Sequence, residues 1–133
     1  MDLRKNGIAC RGAIALAAAV ETSGSLRTLN LRHNIIADAG AIGLGMALKL
    51  TTCLEELDLG ANRIGDEGTI TISKGLAENT GLRVLNLRSN RISDRGLIAL
   101  AGLLRESDTL LELYIGANPG TTEIGFCAVI DAV

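Results

Sequence analysis

The sequence predicts an α/β solenoid, a right-handed arc in which parallel strands line a concave face and helices cover a convex face. Three observations lead to this fold class: a repeat of constant length, an alternating apolar pattern, and a helical apolar pattern after it. The repeat length is 28 residues, and it is set by the leucines that open successive units: Leu26, Leu54, Leu82 and Leu110. Because each unit contacts mainly its neighbours, such units stack into a quasi-one-dimensional protein.

The first part of each unit predicts a short strand. In the stretches 29–31 (LNL) and 57–59 (LDL), one polar residue separates two leucines. Successive side chains of a strand point to opposite faces, so the leucines are expected inside and the residue between them outside. Each unit therefore contributes one strand to a parallel sheet.

The second part of each unit predicts a helix, because its apolar residues recur at a spacing close to 3.6. The positions that show this spacing are Ile42, Leu44, Gly45 and Leu48 in one unit, and Ile98, Leu100, Ala101 and Leu104 in another. The run AIALAAAV at 13–20 matches the same register. We interpret that run as an amphipathic helix rather than a signal segment.

Two further columns of residues mark the start of the predicted helices. Aspartates stand near the first turn, where a carboxylate can accept unpaired N–H groups and complement the helix dipole. They are Asp38, Asp66 and Asp94. Glycines follow two residues later and leave room for a close neighbouring layer, at Gly40, Gly68 and Gly96.

An asparagine column keeps the same period at the end of each predicted strand, with Asn6, Asn34, Asn62, Asn90 and Asn118. A side-chain amide at this point can bond the backbone of its own turn and of the next one, and so satisfy polar groups that would otherwise be buried alone. A ladder at repeat spacing needs no ligand to explain it. We therefore assign these asparagines a structural role.

The aligned units carry a recognisable motif. They read LRTLNLRHNIIADAG, LEELDLGANRIGDEG and LRVLNLRSNRISDRG, followed by the divergent LLELYIGANPGTTEIG. The form Leu-x-x-Leu-x-Leu-x-x-Asn-x-Ile resembles the leucine-rich repeat, and the repeat length resembles that of the ribonuclease-inhibitor-like subclass. We predict one domain, 1–133, with a partial repeat at 1–25, repeats at 26–53, 54–81 and 82–109, and a divergent partial repeat at 110–133.

Composition limits the classes of function. Of 133 residues, 13 are basic and 15 acidic, and the formal net charge of −2 gives no general attraction for nucleic acid or an anionic membrane. Three cysteines without metal-ligand spacing are read as reduced thiols, which favours an intracellular, cytoplasmic protein. We expect no metal, no cofactor, no nucleic-acid partner and no membrane span.

The outward positions of the strands are the candidate binding surface. Arg4 and Arg32 are expected to be like-charged neighbours, and two compensations are open: carboxylates at Asp2, Glu56 or Asp58, or an acidic patch or phosphate on a partner. Tyr114 stands in a column otherwise filled by Asn and Asp, and tyrosine and arginine are frequent at interface hot spots. End-strand packing is the alternative role for this tyrosine. The predicted partner-binding residues are Arg32, Glu56, Asp58, Asn86, Arg88 and Tyr114.

The sequence shows no pattern that indicates a catalytic site. His33 is the sole histidine, and the register places Cys10 on the loop-to-helix side, away from it. The glycine-containing run 43–48 is predicted to lie inside a helix, so it is not a phosphate loop. Cys53 and Cys127 are expected to be small buried hydrophobes. We therefore predict no enzymatic activity.

Both ends lack the polar capping repeats that solenoids need. The first unit has no equivalents of residues 26–29, and the last shows Gly125 one place late, which indicates one inserted residue. Phe126, Val129, Ile130 and Val133 predict a helix that runs to the last residue. A fragment of a longer array, an oligomer and a short protein with frayed ends are the alternatives. We favour the fragment and expect self-association through an uncapped end.

The function predicted from these features is that of a protein-interaction module or scaffold that binds a protein partner through its concave face. The resemblance implies parents such as cytosolic nucleotide-binding immune sensors, GTPase-activating proteins acting on Ran, or cytoskeletal and ciliary scaffolds. A Ran-type regulator of a small GTPase and a purely structural component of a large assembly are the alternatives.

Overall fold

A computed structural model describes residues 1–132, in which helices and strands alternate along the chain. The helices are α1 (Cys10–Thr22), α2 (Asp38–Leu48), α3 (Asp66–Ala77), α4 (Asp94–Glu106) and α5 (Glu123–Ile130). The strands are β1 (Thr28–Asn30), β2 (Glu56–Asp58), β3 (Val84–Asn86) and β4 (Glu112–Tyr114). Within these residues, none of the helices has the length and apolar character needed to cross a membrane.

The four strands form one parallel sheet in the order β1-β2-β3-β4. The paired central residues are Leu29 with Leu57, Leu57 with Leu85, and Leu85 with Leu113. The sequence period is therefore also the register of the sheet, and the predicted α/β solenoid is confirmed. In front of β1, Asp2 pairs with Asn30 as a single parallel bridge, which matches the shortened first unit.

The core lies between the sheet and the helices and is built from aliphatic side chains. Its repeating members, each at most 2% exposed, are Leu29, Leu31, Ile36, Leu44, Leu57, Leu59, Ile64, Ile72, Leu85, Leu87, Ile92 and Leu100. Burying one such side chain stabilises the fold by about 2 kcal/mol. One predicted helix position differs, since Ile98 is 53% exposed. Helix α4 turns the neighbouring Leu97 into the core instead.

The asparagine column forms a ladder of hydrogen bonds between repeats. The Asn62 amide nitrogen donates to the carbonyls of Leu59 in its own repeat and Leu31 in the preceding one, both at 3.0 Å. Its Oδ1 accepts from the N–H of Ile36 at 3.0 Å. The structural role is confirmed, but the prediction that the amide reaches the next turn is wrong. It reaches back to the preceding turn, because the loop of that repeat presents its N–H toward the following one.

The aspartate column caps the next helix rather than its own. Asp66 is the first residue of α3, yet its Oδ1 accepts from the backbone N–H groups of Ser93 at 2.9 Å and Gly96 at 3.0 Å, at the start of α4. Asp38 makes the same bonds to the start of α3. The expectation that each carboxylate serves its own helix is wrong, because its side chain projects from the first turn toward the adjacent layer.

This arrangement makes stability depend on pH. Partial burial opposes ionisation of Asp66, but hydrogen bonds from Ser93 and Gly96 outweigh it and hold the pKa of this carboxyl below its ordinary value. Its stabilising contribution is therefore complete above the unfolded carboxyl pKa of about 3.9. The contribution is lost as the pH falls through the lower, folded-state pKa.

We expect Asp66→Asn to destabilise the protein by about 1 kcal/mol at neutral pH, as loss of a helix cap does. The melting temperature should also fall less steeply below pH 4 than in the wild type. Thermal unfolding followed by circular dichroism over a pH series measures both effects. Asp108→Asn, which changes an exposed carboxylate in the loop after α4, is the control. If the melting temperature of Asp66→Asn fell with pH as steeply as that of the wild type, this role of Asp66 would be contradicted.

The glycine column permits close approach of the helices, as predicted. A Cβ atom on Gly68 would lie 2.7 Å from the Cβ of Ala41 and 3.0 Å from Cγ2 of Ile64. The glycine-containing run 43–48 lies within α2, so the helical interpretation of that run is also confirmed. Its Gly45 faces the backbone of α3, where a Cβ would lie 2.8 Å from the nitrogen of Ile72.

The last unit contains the predicted extra residue. Its helix-capping residue Thr122 follows the equivalent Ser93 by 29 residues instead of 28. Gly125 then donates its N–H to Asp94 at 3.2 Å, as the glycines of the other repeats do.

The predicted helix to the last residue is wrong. Helix α5 ends at Ile130, and Ala132 donates its N–H to Val129 in a tighter turn. Val133, which the sequence prediction included, lies outside the described residues.

Candidate functional site

The residue between the two strand leucines has a structural role on the concave face. Oδ1 of Asp58 accepts the N–H of Gly60 at 2.8 Å, and Oδ1 of Asn86 accepts that of Arg88 at 3.0 Å. Asn30 makes the same bond to Arg32. Asp58 and Asn86 were predicted as contact residues, and the structure shows them half-buried with one oxygen already engaged. The preference of Asn and Asp for such turns is the sequence signal for this role.

A left-handed turn follows each of these bonds. The non-glycine residues with positive φ are Lys5, His33, Ala61, Ser89 and Ala117, with φ between 52° and 58°. The strands are three residues long and end before these positions. His33 and Lys5 therefore lie at the rim of the concave face rather than on its floor.

The arginines near this rim lean toward the next repeat. A Cβ atom on Gly60 would lie 3.5 Å from Cγ of Arg32, and a Cβ on Gly116 would lie 3.6 Å from Nε of Arg88. Each arginine thus covers a glycine one repeat further along. This contact explains why glycine and arginine share one column of the repeat alignment.

A basic pocket opens at the β1 end of the concave face. It has a volume of about 630 Å³ and is lined by Asp2, Arg4, Lys5, Arg32 and His33. The guanidinium of Arg4 binds Asp2 through two nitrogens, at 2.7 and 3.0 Å. That hydrogen bonding lowers the pKa of the Asp2 carboxyl. Two ways to balance the positive charge of Arg4 were predicted, and the structure contains the first of them, the pairing with Asp2.

Arg32 is placed differently from Arg4. Its Nε is shielded from solvent and has no hydrogen-bond partner in residues 1–132. The ion pairs found in residues 1–132 are formed by Arg4, Arg27, Lys49 and Arg95. Arg32 therefore makes no ion pair with a carboxylate of residues 1–132.

A second depression, the concave groove, crosses the centre of the sheet with a volume of about 180 Å³. It is lined by Thr28, Leu29, Asn30, Glu56, Leu57, Asp58, Val84, Asn86 and Tyr114. Four of the six predicted contact residues thus share one groove, Arg32 lies in the basic pocket, and Arg88 lines neither. Tyr114 is 43% exposed, and its hydroxyl donates to the carboxylate of Glu112, which raises the tyrosine pKa. Val84 on the groove floor was missed as a contact candidate because its column is otherwise polar.

The cysteines have no shared site. Cys10 begins α1 and is absent from the lining of the basic pocket that contains His33. Cys10 is half-buried. Cys53 is also only half-buried and Cys127 is exposed, so the burial predicted for Cys53 and Cys127 is wrong. The face of α5 that carries Cys127 is not covered by a further layer within the described residues. No group of three or more metal-ligating side chains occurs in residues 1–132.

Comparison with protein families gives the same architecture. The family model for the leucine-rich repeat matches residues 23–45, 52–73 and 78–101, just over half of the chain. The chain belongs to the leucine-rich repeat family. No curated protein matches it in sequence.

The fold of this leucine-rich repeat chain is similar to that of a solved structure. The chain is similar to the structure of leiomodin-1 actin-binding site 2, with a TM-score of 0.87 and 21% sequence identity. The match covers 99% of this chain and 76% of that chain. At this identity the likeness concerns the fold. The ribonuclease-inhibitor-like subclass stays a prediction.

Proposed function

We propose that this leucine-rich repeat chain is a protein-interaction module that contacts a protein partner through its concave groove. The observation that supports this most directly is that the exposed Tyr114 and the half-buried Val84 line the same groove together with polar side chains. An apolar centre with a polar rim is the usual anatomy of a protein–protein interface. Membership of a repeat family that builds extended binding surfaces agrees with this proposal.

The predicted contact residues that line the groove have two different roles. Glu56 is exposed and free to meet a partner, whereas Asp58 and Asn86 already accept backbone hydrogen bonds. We therefore assign direct contact to Tyr114, Val84 and Glu56. Asp58 and Asn86 act mainly by shaping the surface. The GTPase-regulator and structural-component alternatives stay predictions, as does the cytoplasmic location.

The proposal is tested with a matched pair of substitutions. Tyr114→Ala removes an exposed apolar side chain from the groove, and Ile98→Ala removes one from the convex face, where it is 53% exposed. Proteins captured from a cell extract by the wild type are identified, and their affinities for the three purified chains are measured by calorimetry. We expect Tyr114→Ala to weaken binding at least about tenfold, as loss of an interface hot spot does.

Ile98→Ala should leave these affinities unchanged. Equal losses in the two variants, or partners whose affinity responds to Ile98→Ala alone, would contradict binding through the concave groove.

A further inference from the structure

Charge is distributed unevenly along the concave face. The basic pocket contains three side-chain cations, Arg4, Lys5 and Arg32, against the single carboxylate of Asp2, so its formal charge is +2. The chain as a whole carries −2. A positive concavity in a negative protein focuses attraction on an anionic group of limited size.

The cations of the basic pocket are not equivalent. Arg4 is engaged by Asp2, whereas Arg32 has no ion pair within residues 1–132. Cγ of Arg32 lies over Gly60, and its Nε is shielded from solvent without a hydrogen-bond partner in residues 1–132. The planar fork of this guanidinium matches the geometry of a carboxylate. Lys5 also lines the pocket and is exposed.

Carboxylates on the neighbouring surface limit the length of the anion that the basic pocket can bind. Beyond the pocket, the concave face carries the carboxylates of Glu56, Asp58 and Glu112. A long polyanion such as a nucleic acid would run into these charges if it continued along the sheet. A short acidic stretch that ends at the pocket avoids them, and neutral or basic residues of the same segment can then follow over the groove.

We infer that the basic pocket binds a short acidic peptide segment, whose carboxylates contact Arg32 and Lys5. This inference rests on the proposed function, because it assigns the chemistry of one part of the protein partner. It also orients that partner: its acidic end lies at β1 and its apolar part over Val84 and Tyr114.

The probe for the test is fluorescein-labelled tetraglutamate. Tetraglutamine with the same label is the comparison without side-chain charges, and a labelled oligothymidylate long enough to extend along the sheet is the nucleic-acid comparison. Fluorescence anisotropy at low salt measures binding to the full chain. We expect saturable binding of tetraglutamate that weakens as salt is added, and weaker binding of the other two probes. Arg32→Gln should reduce the affinity about fivefold.

Arg105→Gln is the matched control, since it removes an exposed arginine at the end of α4 without touching the pocket. Circular dichroism confirms that each variant is folded. Absence of tetraglutamate binding, equal loss in the two variants, or tighter binding of the oligothymidylate would overturn the inference. None of these results affects the Tyr114→Ala comparison, so failure here is distinguishable from failure of the proposed function.

Discussion

Replacing Gly75 by alanine is expected to lower the free energy of unfolding by about 3 kcal/mol or more. Helices α2 and α3 approach so closely that a Cβ atom on Gly75 would overlap the carbonyl oxygen of Gly45. That atom belongs to the backbone, so a change of rotamer cannot relieve the overlap. The two helices must separate, and the core side chains beneath them lose contact. Urea unfolding followed by far-UV circular dichroism measures the loss.

Gly102→Ala is the matched control, because Gly102 is also a helical glycine but no atom lies within 4 Å of a Cβ built there. Alanine in an open helical position stabilises by about 0.5–1 kcal/mol relative to glycine. Opposite signs for the two substitutions are therefore expected. If Gly75→Ala proved neutral or stabilising, the close packing of α2 on α3 would be wrong.

Replacing Asn62 by alanine should cost about 3 kcal/mol, since a buried backbone group loses its partner and a cavity is added. The N–H of Ile36 donates to Oδ1 of Asn62, and Ile36 is fully buried, so water cannot easily replace that acceptor. The carbonyl of Leu31 loses one of two amide donors, because it also accepts from Asn34. Urea unfolding again reports the change in stability.

Asn6→Ala tests the same column where it is exposed. The amide of Asn6 donates to the carbonyl of Arg4 at the surface, so its removal should change stability by no more than about 0.5 kcal/mol. Equal effects at Asn6 and Asn62 would show that the ladder owes its stability to something other than burial.

Much of the fold could be predicted because the pattern is local. Strand and helix periods follow from spacing within one unit, and the asparagine column and the inserted residue before Gly125 follow from comparing neighbouring units. The buried asparagines confirm this, since four of the five are at most 9% exposed: Asn34, Asn62, Asn90 and Asn118. A pattern repeated in register leaves little freedom in how neighbouring units align.

The candidate site could be predicted only in part. Spacing placed Glu56 and Tyr114 on one face, and both line the concave groove. Spacing could not show that Asp58 accepts a hydrogen bond from a backbone N–H. An outward-facing carboxylate has the same sequence pattern whether or not it is hydrogen-bonded. Val84 was overlooked for a related reason, since an apolar residue in a polar column carries no periodic signal.

The sequence by itself determined the 28-residue register, the strand and helix of each unit and most of the core, because side-chain periodicity along the chain selects these features. Only the tertiary structure decided which repeat each polar group serves. Asp66 caps the following helix, Asn62 bonds the preceding turn, and Arg32 covers the glycine of the next repeat. These contacts depend on the distance and tilt between stacked layers, and no single unit of the sequence encodes that geometry.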